Sequence, residues 1–196
     1  MNDYIPLPLH RLPKRVSYCR PSQAHPQYLK LSDEAIHAMT DLRQVTAITI
    51  EPNASIDHAM VRMREAGVQM LLVTNPRREV LGLITTTDIH GEKPMKIVQE
   101  QGSSHHDIMV REIMTPHDQL EVLKMSDVEK AFVGDIVATM TRAGRRHALV
   151  VDQSQGNESE SIRGIFSLTQ LGKQLGETIE TVEIATTFAE VGKILG

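Results

Sequence analysis

The 196-residue sequence has no tryptophan, three phenylalanines, three tyrosines and a single cysteine. So few aromatic rings leave no stacking platform for nucleic-acid bases. A net charge of −4 gives no pull toward a polyanion, so no nucleic-acid partner is expected. Cys19 alone cannot close an internal disulfide and lacks the companions of a zinc site. No apolar run is long enough to cross a bilayer, and Met1 to Val16, with Pro6, Pro8 and Pro13, holds no apolar secretion core. These absences predict a protein of a reducing compartment, the cytoplasm, with no membrane partner. Phosphate-binding P-loops, Gly-x-Ser-x-Gly elbows and HExxH helices are missing too. No two carboxylates fall where they would share a pocket, so no catalytic constellation emerges and no enzyme is expected.

What the chain does have is an apolar fraction of 40%, enough for a packed core, and a message stated twice. Ala66-Gly67 leads into Leu71-Leu72-Val73-Thr74 and then Val80-Leu81-Gly82-Leu83-Ile84-Thr85-Thr86-Thr87-Asp88. Ala143-Gly144 leads into Ala148-Leu149-Val150-Val151-Asp152 and then Ile162-Arg163-Gly164-Ile165-Phe166-Ser167-Leu168-Thr169-Gln170. A Met-Thr pair heads each copy, at Met39-Thr40 and Met114-Thr115. One such unit cannot bury its own apolar face, so two copies should pack together and leave a cleft between them.

The local pattern within each copy is β-α-β-β-α. In the first, Val45 to Ile50 reads as a strand ended by Pro52. Ser55 then caps a helix whose apolar face is Ile56, Ala59, Met60 and Met63, and Gly67 stops it. Met70 to Thr74 and Val80 to Thr85 form a strand pair around the turn Asn75-Pro76-Arg77-Arg78. A second helix starts near Thr87-Asp88 and runs past Pro94. In the second copy, Leu120 to Met125 is the strand, Val133, Ile136, Val137 and Met140 the helical face, and His147 to Val151 with Ile162 to Ser167 the strand pair. Residues 1–31 read as a Pro-rich extended arm, 32–100 as repeat one, 101–112 as a linker, 113–176 as repeat two and 177–196 as a terminal strand and helix. Ser32 is expected to cap a helix from Asp33 to Asp41. Met60, Met63 and Met140 are expected to fill the interior or a dimer interface, since Met adapts to irregular gaps. His105-His106-Asp107 offers metal-binding side chains, but neighbours in sequence rarely point at one ion, and a linker is expected there instead.

Two tandem units, each with a Gly-h-h-[Thr/Ser]-x-x-Asp element or its near match, resemble a pair of CBS domains, a Bateman module, over roughly residues 32 to 175. The resemblance implies an α/β (α+β) fold of β-α-β-β-α repeats about a pseudo-twofold axis. It implies regulatory binding of an adenosine compound, AMP, ADP, ATP or S-adenosylmethionine, with no catalytic cofactor, and a homodimer. In that family the Thr and Asp of the element grip the ribose and its phosphate, which falls here on Thr85 and Asp88, with Thr87 beside them. The chemistry agrees, since a carboxylate accepts from both vicinal hydroxyls of a ribose. Thr85-x-x-Asp88 also reads as a helix capping box, and the two roles are compatible. The family pattern further implies an adenine slot near Ile48, Gln69 and Met70. Repeat two carries Ser167 and Gln170 in place of Thr85 and Asp88; an uncharged amide weakens the grip, so one competent site per chain is expected, from repeat one. Arg145, Arg146 and His147 are candidate phosphate contacts or a solvated basic patch at a helix end. The alternatives are a ligand-free dimerisation or interaction scaffold, or a regulatory subunit of a separately encoded enzyme or transporter. Nucleotide hydrolysis with His147 as base ranks last.

Overall fold

The computed structural model describes residues 28–102, 104–153 and 160–179. Most of the expected arm, most of the loop from 153 to 161, and the expected strand and helix of the tail lie outside the described residues.

After a 3-10 turn at Ala35–Ala38, the strands are β1 (Thr40–Asp41), β2 (Thr49–Ile50), β3 (Met70–Thr74), β4 (Val80–Thr85), β5 (Thr115–Pro116), β6 (Val122–Lys124), β7 (His147–Gln153) and β8 (Glu160–Ser167). The helices are α1 (Ile56–Ala66), α2 (Thr86–His90), α3 (Glu92–Gln101), α4 (Val110–Ile113), α5 (Met125–Val128), α6 (Val133–Arg142) and α7 (Leu168–Leu175). They assemble into two four-stranded sheets, β2-β3-β4-β5 and β1-β8-β7-β6. In each, a parallel pair (β2 with β3, β6 with β7) is followed by an antiparallel hairpin. The fold is thus the mixed α/β duplication that the sequence suggests.

Local chemistry accounts for the elements. The Ser55 hydroxyl accepts from the His58 amide at 3.2 Å and starts α1, and Gly67 ends it in the left-handed conformation at φ 67°. The predicted helical stripes are the buried faces: Ile56, Ala59 and Met63 on α1, Val133, Ile136 and Met140 on α6. Met60 and Val137 sit half-buried beside them. Strand β3 is buried on both sides, as its unbroken apolar run requires. Leu71 and Val73 enter the core of the first repeat, while Met70 and Leu72 turn the other way. There they meet Leu149 of the second repeat, with Ala47, Leu83, Leu120, Ile162 and Ile165 around them. This third apolar cluster joins the repeats.

Three expectations change. The Met-Thr pairs do not head their own copies. Thr40 pairs with Ile165 in the sheet of repeat two, and Thr115 pairs with Leu83 in the sheet of repeat one. Leu29, Ala35, Ala38 and Met39 accordingly pack in the second repeat's core, and Ile108, Val110 and Ile113 in the first's. The segments assigned by sequence order to the start of repeat one and to the linker are therefore exchanged. The expected helix from Asp33 to Asp41 is a short 3-10 turn with Glu34, not Ser32, at its start, because Thr40 and Asp41 are drawn into the β8 ladder. The expected strands at 45–50 and 120–125 shorten to two and three residues.

Candidate functional site

A cavity of about 410 Å³ opens on the seam between the repeats, within the size range of small-ligand sites. Repeat one contributes Val45 to Ile48, the approach to β2, and Ala66 to Met70, the passage from α1 into β3. The other wall is His147 at the start of β7, Ile165 and Ser167 on β8, and Thr169, Gln170 and Lys173 on α7, with Thr40 and Leu42 from the exchanged segment. Thr169 donates to the Gln69 side-chain carbonyl across the seam at 3.2 Å.

The cavity divides the predicted ligand set. Ile48, Gln69 and Met70 line it together with Ser167 and Gln170, whereas Thr85, Thr87 and Asp88 do not. The strand approaches of one repeat thus meet the helix start of the other, while Asp88 stays outside the lining yet near enough to His147 to act on its charge.

The two Thr/Ser-x-x-Asp/Gln elements are also in different states. In repeat one the capping box is closed. The Thr85 hydroxyl donates to Asp88 Oδ2 at 2.7 Å, the Thr85 amide donates to the same oxygen at 2.9 Å, and the Asp88 amide returns to the Thr85 hydroxyl at 3.2 Å. The Lys93 ammonium lies 3.7 Å from Asp88 Oδ1 and donates to the Ile113 carbonyl at 3.0 Å, tying α3 to the end of α4. In repeat two Ser167 starts α7 without a side-chain cap and lines the cavity. The Gln170 amide makes no side-chain hydrogen bond among the described residues. Ser167 and Gln170 therefore stand at the cavity without side-chain partners among the described residues, while Asp88 is engaged by its own helix through Oδ2, leaving Oδ1 beside Lys93.

Charge in the cavity is sparse. His147 was read as a candidate cation, and the structure corrects this. Burial pushes its pKa from 6.5 down to about 4, the Arg146 charge adds to the fall, and Asp88 opposes it from across the seam. The imidazole is neutral at neutral pH. Arg145 and Arg146 are exposed; Arg145 lies 3.6 Å from Glu121, and Arg146 lines a neighbouring hollow beside Gly172 and Gly176. Lys173, one helical turn beyond Gln170, is the lining residue with a formal charge, and it makes no ion pair among the described residues. The sequence reading missed it, together with Thr46, Ala47 and Thr169. The i, i+3 spacing from Gln170 was the signal available for Lys173. No backbone hydrogen bond engages the N–H or C=O of Thr46 and Ala47 among the described residues, so that stretch presents free main-chain groups beside apolar walls.

His105 to Asp107 form a 3-10 turn in which His106 contacts Asp57 at the start of α1. Among the described residues no group of three or more His, Cys, Asp or Glu side chains could hold a metal ion. No helix among them is long and apolar enough to cross a membrane.

The CBS domain family matches residues 34–92. An uncharacterized conserved protein from Pyrococcus horikoshii superposes with a TM-score of 0.54 at 25% identity, over 79% of this chain and 100% of its own. A CBS-domain containing protein from Agrobacterium tumefaciens superposes with a TM-score of 0.50 at 22% identity, over 70% and 93%. No curated protein matches. The family match falls on the first repeat, residues 34–92, which carries a CBS domain, and the second four-stranded sheet repeats its order of a parallel pair and a hairpin.

Proposed function

We propose that this protein is a non-catalytic regulatory module that binds an adenosine-containing ligand in the cavity on its inter-repeat seam. The observation that carries the reading is the joint lining: free main-chain groups at Thr46 and Ala47 with apolar walls from one repeat, and the uncapped Ser167 hydroxyl and Gln170 amide from the other. A flat heteroaromatic base suits the first wall, and a sugar's hydroxyls suit the second. A ligand touching both repeats binds one relative placement of them better than another, and that differential affinity is what a regulatory signal requires. One ligand per chain is the stoichiometry of this reading. Val61 on α1 and Met95 on α3 are exposed and supply apolar surface for a second copy, so the module is proposed as a homodimer.

Thermal unfolding with AMP, ADP, ATP and S-adenosylmethionine tests the reading. A ligand at a hundred times its Kd adds about 2.7 kcal/mol to the folded state. Ala47→Phe, which fills the half-buried base wall, should remove the shift while the protein stays folded. No shift with any of the four would leave the interaction scaffold as the better account.

A further inference from the structure

Resting on that reading, we infer that the seam cavity selects an anionic ligand, an adenosine phosphate rather than the cationic S-adenosylmethionine, and that Lys173 is the residue that sets the choice. The cavity lining contains no aspartate or glutamate, so nothing in it compensates a positive ligand. Lys173 supplies its one fixed positive charge, and no carboxylate among the described residues neutralises it. Asp88, whose charge reaches His147, is outside the lining and is paired with Lys93 and held by Thr85. His147 contributes no charge of either sign at neutral pH. Lys173 also borders the adjoining hollow that Arg146 lines, so a phosphate chain leaving the cavity past Lys173 meets a second cation. Glu177 also lines that hollow, as its one carboxylate beside the two cations. S-Adenosylmethionine brings a sulfonium and an ammonium against one carboxylate, and in this lining both would face a like charge.

The experiment is calorimetric titration of the full chain with adenosine, AMP, ATP and S-adenosylmethionine, repeated with Lys173→Met. AMP should bind about tenfold or more tighter than adenosine and S-adenosylmethionine, as expected for one charge-assisted contact. Lys173→Met should bring AMP down to the level of adenosine and leave adenosine itself unchanged. Equal affinities for AMP and S-adenosylmethionine overturn the inference, as does a Lys173→Met protein that holds AMP as well as before or loses adenosine equally. In each of those results the unmutated protein still binds adenosine, so they are separable from failure of the parent reading, in which none of the four compounds binds and this inference falls with it.

Discussion

Met39 occupies the space that a Cβ on Gly164 would need. The relationship is repeated by symmetry, for a Cβ on Gly82 would run into the Thr115 carbonyl oxygen. Each repeat's glycine therefore admits the Met-Thr segment of the other repeat, and the duplicated Gly-h-h element is a docking slot for an exchanged strand. Gly82→Ala should destabilise the fold by about 1–3 kcal/mol, the usual cost of overpacking. Gly164→Ala should cost less, because the obstructing atoms belong to a methionine side chain that can change rotamer. Urea unfolding of both variants checks the order; an equal or reversed ranking would show that the slots are not what fixes these glycines.

How much of this was legible follows from the range of the forces involved. Strands β3 and β4 have the bounds expected from sequence because β-rich runs flank a Pro-containing turn, and α1 and α6 bury the expected faces because their apolar residues recur at helical spacing. These signals are local. The exchange of Met39-Thr40 and Met114-Thr115 is not, since a two-residue strand has little pairing preference of its own and goes where tertiary packing puts it. The lining of the cavity is non-local in the same way. Ile48, Gln69 and Met70 share a repeat with Thr85 and Asp88, but the seam turns them toward Ser167 and Gln170. Single-residue chemistry does not report what else a side chain does: the Asp88 carboxylate also closes the capping box through Oδ2.

Arg163 anchors the exchanged β1 strand through charge. Its side chain, 12% exposed, pairs with Asp41, 14% exposed, and lies 3.9 Å from Asp152, which Arg43 approaches at 3.2 Å. Arg163→Met leaves the Asp41 carboxylate without its partner, and the expected loss is about 3 kcal/mol. Arg163→Met combined with Asp41→Leu should recover part of that loss, because the stranded charge is gone. A double-mutant cycle with no coupling would remove the pair from any account of strand exchange.

His147 makes stability depend on pH. Its pKa is about 4 folded against 6.5 ordinarily, so between those values the unfolded chain binds a proton that the folded chain refuses. Stability from this group is complete above pH 6.5 and is lost as pH falls toward 4. The expected loss between pH 7 and pH 5 is roughly 2 kcal/mol. His147→Gln should flatten this part of the profile, measured by denaturant unfolding at a series of pH values. A wild-type profile that is flat across the window would mean the imidazole is not desolvated.

Asp88→Ala separates capping from binding. The substitution opens the box at the start of α2, and a lost cap typically costs about 1 kcal/mol. The seam cavity keeps all its lining residues, so one ligand should still bind per chain with unchanged affinity. If the variant instead folds normally and binds nothing, the ligand sits at the Thr85 end of the seam.

Gln170→Asp tests what the amide withholds. Gln170 faces the cavity with one carbonyl acceptor, whereas a carboxylate accepts from two hydroxyls at once and through charge-assisted bonds about twice as strong. Adenosine, which offers only its base and its ribose, should therefore bind roughly tenfold tighter to Gln170→Asp. AMP should gain less. The new carboxylate stands three residues before Lys173 on the same helical face, where it would draw the ammonium away from a phosphate. The ratio of AMP to adenosine affinity should narrow, and adding Lys173→Met should then change AMP binding little. Calorimetry on the two single variants and their combination reads all three quantities. Adenosine binding that is unchanged or weaker in Gln170→Asp would mean that the sugar does not reach α7, and that the polar groups there serve the seam rather than the ligand.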